Sequence, residues 1–319
     1  MKTTIVLAAL IGGCGLSSTA MACSSCGCTL NSDWSSQGYT TRSGLHWDLR
    51  YDYFDQSQLR AGTGSVSRAS ISLPAEQEIQ QNTVNRNLTL GMDYSPSREW
   101  GLSVLLPYFD RPHTTVDEGQ TEVSRSHSRG LGDVRIIGRY QGFQPDLSIG
   151  VQVGVKLPTG RIGDTFSSGP LSGEGVDRGL QLGTGTTDLL VGVYTVHSLG
   201  ASFAYFGNLM LQQPLNSRDE FKPGAGLNLS LGVRYTAMLP ANLSPQLQVN
   251  VRAEKRESGA NADVQNSGAT LAYISPGVGF SLTQRLDGFA FVQVPVYQRV
   301  NGLQLQPRFF SSVGLRYRF

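Results

Sequence analysis

"SGLHWDLRYDYF", residues 43–54, alternates without a break. Leu45, Trp47, Leu49, Tyr51 and Tyr53 fall on one side, and His46, Asp48, Arg50 and Asp52 on the other. A period of two is the strand signature, because successive side chains in a strand point to opposite faces. The faces of this strand are extreme. One is bulky and aromatic, and the other is polar at every position and mostly charged.

The same rhythm returns along the chain. "NLTLGMDY" (87–94) sets Leu88, Leu90, Met92 and Tyr94 against Asn87, Thr89, Gly91 and Asp93. "EWGLSVLLPYF" (99–109), "GDVRIIGRYQ" (132–141), "DLSIGVQVGVKLP" (146–158) and "TTDLLVGVYTV" (186–196) follow. "SFAYFGNLMLQQ" (202–213), "GLNLSLGVRYTAM" (226–238), "QLQVNVRAEKR" (246–256) and "TLAYISPGVGFSL" (270–282) continue it. "GFAFVQVPVYQRV" (288–300) and "RFFSSVGLRYRF" (308–319) end it, for about twelve strands in all. Pro276 and Pro295 fall inside two of these segments, where proline is awkward, so the count carries a margin of about two.

The connections alternate too. Roughly 28 residues separate the first two strands, then about four, then about 20, then about four again. Long loops at one end and short turns at the other are the habit of a transmembrane barrel, not of a soluble sandwich. Strands of roughly 9–11 residues suit a tilted membrane crossing. In lipid, only a closed barrel satisfies every backbone group with strands. The polarity then makes sense, with the apolar face toward lipid and the charged face toward a watery lumen. Tyr, Trp and Phe near the strand ends fit interfacial girdles.

The expectation is therefore an all-β chain, a single transmembrane antiparallel up-and-down barrel of about twelve strands over 43–319. The outer membrane of a Gram-negative bacterium is the implied location, with both termini on the periplasmic side. Phe319, preceded at alternate positions by Tyr317, Leu315 and Val313, resembles the C-terminal signal read by the barrel-assembly machinery.

The lumen-facing positions form the main candidate site. They are His46, Asp48, Arg50, Asp52 and Asp93 in the first two strands. Asp133, Arg135, Arg139, Lys156 and Asp188 follow in the middle of the chain. Arg234, Arg252, Glu254, Arg316 and Arg318 complete the set. The signs are mixed, whereas a charge-selective filter uses rings of one sign. Pairing across neighbouring strands would simply hold the barrel's shape. A lumen of this size would pass small solutes or be blocked by a short insert.

Several segments resemble the family labelled MetA-pathway of phenol degradation, a set of outer-membrane proteins assigned to transport. The residues that carry the resemblance are "GLGDVRIIGRY" (130–140), "GVKLPTG" (154–160), "LGTGTTDLLVGV" (182–193) and "VPVYQRVNGLQLQPRF" (294–309). The resemblance implies an outer-membrane barrel with a transport role and names no substrate. On physical grounds these motifs read first as punctuation. Pro158 and Gly160 stop a strand, and the glycines of "GTGTTD" re-enter one.

The start of the chain reads differently. Residues 1–22 have the form of a signal peptide, with Lys2, an apolar run and an Ala20-Met21-Ala22 cleavage site. A Cys-rich segment, 23–42, would follow, either periplasmic or tucked into the lumen as a plug. It opens on "CSSCGCTL", with Cys23, Cys26 and Cys28. In an oxidising compartment a Cys23–Cys26 disulfide is the first reading. Three thiolates would equally suit Cu(I), or Zn(II) with Asp33 or His46 as a fourth ligand. A thiol pair engaged by a periplasmic redox or metal partner is a third reading. Lipidation of Cys23 is a fourth, weakened by Met21 where a small residue is usual.

A net charge of +2 without a clustered basic patch argues against a nucleic-acid partner. The four histidines, His46, His113, His127 and His197, have no serine beside them in a nucleophile context, so no enzyme is expected. His113 and His127 are expected in a loop and His197 in a turn. Two functions remain, a channel for small solutes and a metal- or redox-linked scaffold acting through the cysteines.

Overall fold

The computed structural model describes residues 43–237, 239 and 242–319. The expected signal peptide and the cysteine segment lie outside them. Eleven strands close an antiparallel barrel. In order around it they are β1 (Gly44–Gly62), β3 (Ile79–Ser95), β4 (Trp100–Val116), β6 (Arg135–Tyr140) and β7 (Ile149–Lys156), then β9 (Asp188–Leu199) and β10 (Phe203–Pro214). β11 (Gly226–Tyr235), β12 (Leu243–Glu254), β13 (Ala269–Ser281) and β14 (Leu286–Arg318) complete the circle, and β14 pairs back onto β1. Three strands stand outside the circle: β2 (Gly64–Ser65), β5 (Val123–Leu131) and β8 (Phe166–Ser168).

The count differs from the expected twelve because the last two segments run together. β14 is 33 residues long. Asp287–Val300 lies along β13, and Val300–Arg318 lies along β1. Gly302, at φ +58°, takes the left-handed conformation that lets the chain fold back without leaving the ladder. The Gln298 amide then donates to Pro307 O, and Arg318 N to Arg285 O. Pro295 is tolerated beside a register shift in the β13–β14 ladder, between Ala272 and Tyr273.

The polarity of the wall is inverted. On β1, Trp47, Leu49 and Tyr51 are exposed, while His46, Arg50 and Asp52 are each 5% exposed or less. The same holds around the circle, with Val191, Leu209, Leu231, Val249, Ile274 and Val294 exposed. Rings gather near the short-turn end. Trp100 packs on Tyr140 at 4.6 Å, Tyr140 on Phe143 at 4.9 Å, and Phe203 on Tyr235 at 5.2 Å.

One stretch of wall departs from the simple meander. The lower part of β4 pairs with β6, and its upper part with β5. β5 and β6 are thus successive pieces of one wall, interrupted at Gly132–Val134. The expected loop holding His113 and His127 is replaced by strand, since His113 lies on β4 and His127 on β5. "RPHTTV" and "VSRSHSR" have no apolar face, so hydrophobic alternation could not reveal them. His197 likewise lies on β9, stacked on Tyr205 at 5.2 Å, and not in a turn.

Candidate solute site in the barrel lumen

Alternate residues of each strand face inward, so the lumen is built in layers. The layer nearest the short turns is ionic. The carboxylate of Asp93 on β3 is held by both terminal nitrogens of Arg139 on β6, one at 2.9 Å. Ser103 Oγ donates to the same carboxylate at 2.6 Å, and His46 Nδ1 lies 3.6 Å away. Arg316 and Asp48 sit directly opposite on β14 and β1 and form a two-point pair at 2.5 and 2.6 Å. Arg50 donates to Asp52 at 2.7 Å, and Ser312 joins that carboxylate at 2.5 Å. Charge-assisted pairs of this geometry are the strong ones.

The layer nearest the long loops has a different organising group. Asp133, in the break between β5 and β6, accepts from Gly160 N at 2.9 Å, Thr184 N at 3.0 Å and Thr184 Oγ1 at 3.1 Å. Lys156 Nζ lies 3.1 Å from Asp133 and 3.1 Å from Asp188. The three glycine-containing motifs of the sequence therefore meet at one carboxylate. A side chain on Gly160 or Gly183 would strike the other's backbone, within 2.7 Å and 2.5 Å respectively. Their glycines serve close approach, which is more than turn punctuation.

This knot folds the 157–187 connection over the long-loop end. The connection has its own small core of Phe166, Val176 and Leu180. Gln181 staples it, accepting from Gly163 N and Asp164 N and donating to Asp164 O and Val176 O. Arg111 on β4 reaches up to Gly179 O at 3.2 Å and Gln181 O at 3.4 Å. Asp177 lies in the same connection, crowded by Glu78, Asp263, Glu257 and Asp117 from three other connections. Burial and these like charges push its carboxyl well above the usual carboxylate range.

Beneath that cover is a cavity of about 220 Å³. One wall is apolar, as are the buried Phe54–Phe310 and Phe289–Phe291 clusters elsewhere in the barrel. Leu105, Pro107 and Phe109 of β4, Ile137 of β6, Leu190 of β9 and Met210 of β10 line it. Ile137, Leu190 and Met210 are buried and pack together, with Leu105 against them. The rest of the lining is polar, with Asn87 and Thr89 of β3 beside that wall, Asn228 of β11, and Arg252 and Glu254 of β12. Asn87 is 2% exposed, and among the described residues neither its amide nitrogen nor its oxygen has a hydrogen-bond partner. The charged lining is weighted to the basic side, with Arg111, Arg135, Lys156, Arg178 and Arg252 against Asp133, Glu254 and Glu257.

The remaining residues singled out in the sequence are placed as follows. Arg252 bonds Glu254 and Asn228, both at 3.0 Å. Arg234 is partly buried on β11. Arg318 stands at the short-turn rim, 2.9 Å from Asp287. Cys23, Cys26 and Cys28 lie outside the described residues. Among those described, no cluster of three or more His, Cys, Asp or Glu has the spacing of a metal site. Sequence reading missed the apolar lumen wall and Asn87. The signal was present in "LSVLLPYF", where Leu105, Pro107 and Phe109 hold the alternate positions that Ser103 begins.

No family model matches the chain, so the resemblance to the MetA-pathway family has no such support, and no curated protein matches it. Solved structures do. The COG4313 outer membrane channel from Pseudomonas putida F1 is similar at 13% identity and TM-score 0.64, covering 88% of this chain and 98% of that one. The NanC porin is 9% identical, with TM-score 0.46 over 86% of this chain and 100% of that one. The Ralstonia pickettii toluene transporter TbuX is 8% identical, with TM-score 0.46 over 88% and 90%. At these identities the likeness concerns the barrel fold.

Proposed function

We propose that this chain is an outer-membrane channel or transporter for small solutes. The observation that carries the reading is a closed barrel, apolar outside and polar inside, around a covered cavity of about 220 Å³. We count twelve crossings, taking the two arms of β14 as separate spans joined at Gly302. A 33-residue strand at about 3.4 Å per residue would run more than three times the thickness of a bilayer core of ~30 Å. The short-turn end, where β1 begins and β14 finishes, would face the periplasm, and the covered end the outside. A terminal Phe319 suits recognition by the assembly machinery. The lumen's paired charges leave no role as a one-sign filter, so selection would fall to the cavity.

The reading is tested by liposome swelling and planar-bilayer conductance of the refolded protein, with and without residues 23–42. Permeation by ions and small solutes is expected, since the strand number lies between filled eight-stranded barrels and open sixteen-stranded ones. Impermeability of both forms to ions and small solutes would overturn it.

A further inference from the structure

We infer that the outer face of the β3–β4–β5 wall, just above its lipid-facing belt, binds the phosphate groups of lipopolysaccharide, the phosphorylated glycolipid of the outer leaflet. This rests on the proposed orientation, with the long loops outside, and not on what the lumen passes. The outward residues change character along these three strands. Lower down, Leu88 and Leu90 of β3, Leu102 of β4 and Leu131 of β5 are exposed, as a lipid face requires. Higher up, the exposed outward positions are Arg86 on β3 and Arg125, His127 and Arg129 on β5, with Ser124, Ser126 and Ser128 buried between them. On the other side of the barrel, β10 and β11 end with Leu211 and Leu227 exposed, paired in register.

The height fits a head group. Trp100, in the short-turn girdle, and Tyr108 are eight residues apart on β4, about 27 Å along a strand at ~3.4 Å per residue. With strands tilted by ~40°, that is about 21 Å of height, close to the ~25 Å apolar band of such barrels. Asp110 is the next outward residue, and Arg86 and Arg129 are its in-register neighbours on β3 and β5. They stand at the outer edge of the band, where lipid head groups begin.

The cations are placed to converge. Neighbouring strands lie ~4.8 Å apart, so Arg86 and Arg129, on the two sides of Asp110, are separated by about 10 Å. Two arginine side chains can close that span on one phosphate, and a guanidinium fork meets a phosphate at two oxygens. Arg129 Nε donates to Tyr108 Oη at 2.8 Å, which leaves both terminal nitrogens for a ligand. Asp110 lies 3.5 Å from Arg86 and 2.7 Å from His127 Nε2 and holds those two side chains together. Three arginines around this one carboxylate leave the face positive. Other acids stand apart from it. Asp55 of β1, opposite Val84, accepts from the Asn82 amide at 2.5 Å. Asp117, Glu118 and Glu122 lie past the last β4–β5 pair, Val116 with Val123, farther from the lipid.

The test is titration of the refolded full protein, in maltoside micelles with EDTA, against bisphosphorylated lipid A, dephosphorylated lipid A and glucosamine 1-phosphate. Bisphosphorylated lipid A is expected to bind roughly tenfold tighter, or more, than the dephosphorylated lipid. It should also bind tighter than glucosamine 1-phosphate, which lacks the chains that would lie on Leu88 and Leu131. Each arginine near an anionic lipid surface contributes about fivefold. The combined changes Arg86→Gln, Arg125→Gln and Arg129→Gln should therefore weaken lipid A by roughly twentyfold or more. Arg161→Gln with Arg218→Gln, both exposed in loops, should leave it unchanged. Heat-modifiable migration checks that each variant is a folded barrel. Arg129→Gln alone, about fivefold weaker, replaces the triple variant if that one does not refold.

Equal binding of the phosphorylated and dephosphorylated lipids, an arginine variant that binds lipid A as before, or an equal loss in the loop control would each overturn the inference. Glucosamine 1-phosphate binding as tightly as lipid A would overturn the lipid as the ligand. Swelling of phosphatidylcholine liposomes, which contain no lipid A, reads the channel separately. Swelling with no lipid A binding would refute this site and leave the channel standing. Binding with no swelling would do the reverse.

Discussion

The two ends of the lumen are made by the same alternation and put it to opposite uses. Toward the short turns, the inward charges pair with one another. Asp93 with Arg139, Asp48 with Arg316, and Asp52 with Arg50 fill that layer with ion pairs. Toward the long loops, an apolar wall borders an amide that has no hydrogen-bond partner among the described residues, and a folded connection covers both. A lumen residue that is charged and paired braces the barrel. One that is apolar, or polar without a partner, is where a solute has something to gain.

The comparison is broken most severely at Arg139. Its side chain and that of Asp93 are both almost fully buried. Arg139→Met leaves a buried carboxylate without its main cation, which costs about 3–5 kcal/mol. The double change Arg139→Met with Asp93→Leu should be much milder than either single change, because the orphaned charge goes with its partner. Urea unfolding in lipid vesicles reads both. If the ionic layer only decorates the lumen, the single variant will unfold at the wild-type midpoint.

How much of this was legible in the sequence follows the same division. Strand alternation in "SGLHWDLRYDYF" and its repeats placed the lipid face and the lumen face, because a membrane enforces that pattern on every crossing. Cross-strand ion pairs could be expected but not assigned, since register is set by turns and bulges far from the charges. The polar strands β5 and upper β4 were invisible because nothing apolar marks them. The Asp133 knot joins residues 133, 160 and 184, and such closure is a property of the folded loop, not of any one motif. Asn87 looked like every other polar alternate; only the folded barrel shows that its amide has no hydrogen-bond partner among the described residues.

A smaller effect is expected at the covered end and has the opposite sign. Asp177 holds its proton more tightly than an ordinary carboxyl because burial and the charges of Glu78, Asp263, Glu257 and Asp117 oppose its ionisation. Between the usual carboxylate range and its raised value, the folded protein therefore binds more protons than the unfolded chain. Stability of the cover falls as pH rises through that window and is recovered as pH falls. Protection of residues 163–181, measured as hydrogen exchange relative to the intrinsic rate at each pH, should be greater at pH 5 than at pH 7.5. Asp177→Asn should raise protection at pH 7.5 and remove most of its pH dependence. The gain should be smaller than the loss at Arg139, since a loop and not the barrel wall is at stake. Lower protection at pH 5 than at pH 7.5 would contradict the assignment.

The smallest effect is expected at Arg318, which the alternation put among the lumen residues and the fold puts at the rim. Its ion pair with Asp287 matches that of Arg139 with Asp93 in chemistry, at 2.9 Å. It differs in burial, with side chains 21% and 15% exposed against 3% and 2%. Water screens the rim pair and competes for its hydrogen bonds, so Arg318→Gln should cost about 0.2–1 kcal/mol and less at high salt. The same urea titration, run at low and at high salt, isolates the two layers by their response. The Arg139 variant should keep its deficit in salt, because its neighbourhood is closed to ions, while the Arg318 variant should lose most of its own. If both deficits shrank together, the ionic layer would be open to bulk solvent. The short-turn end would then have to be read as the mouth of an aqueous pore instead of a brace.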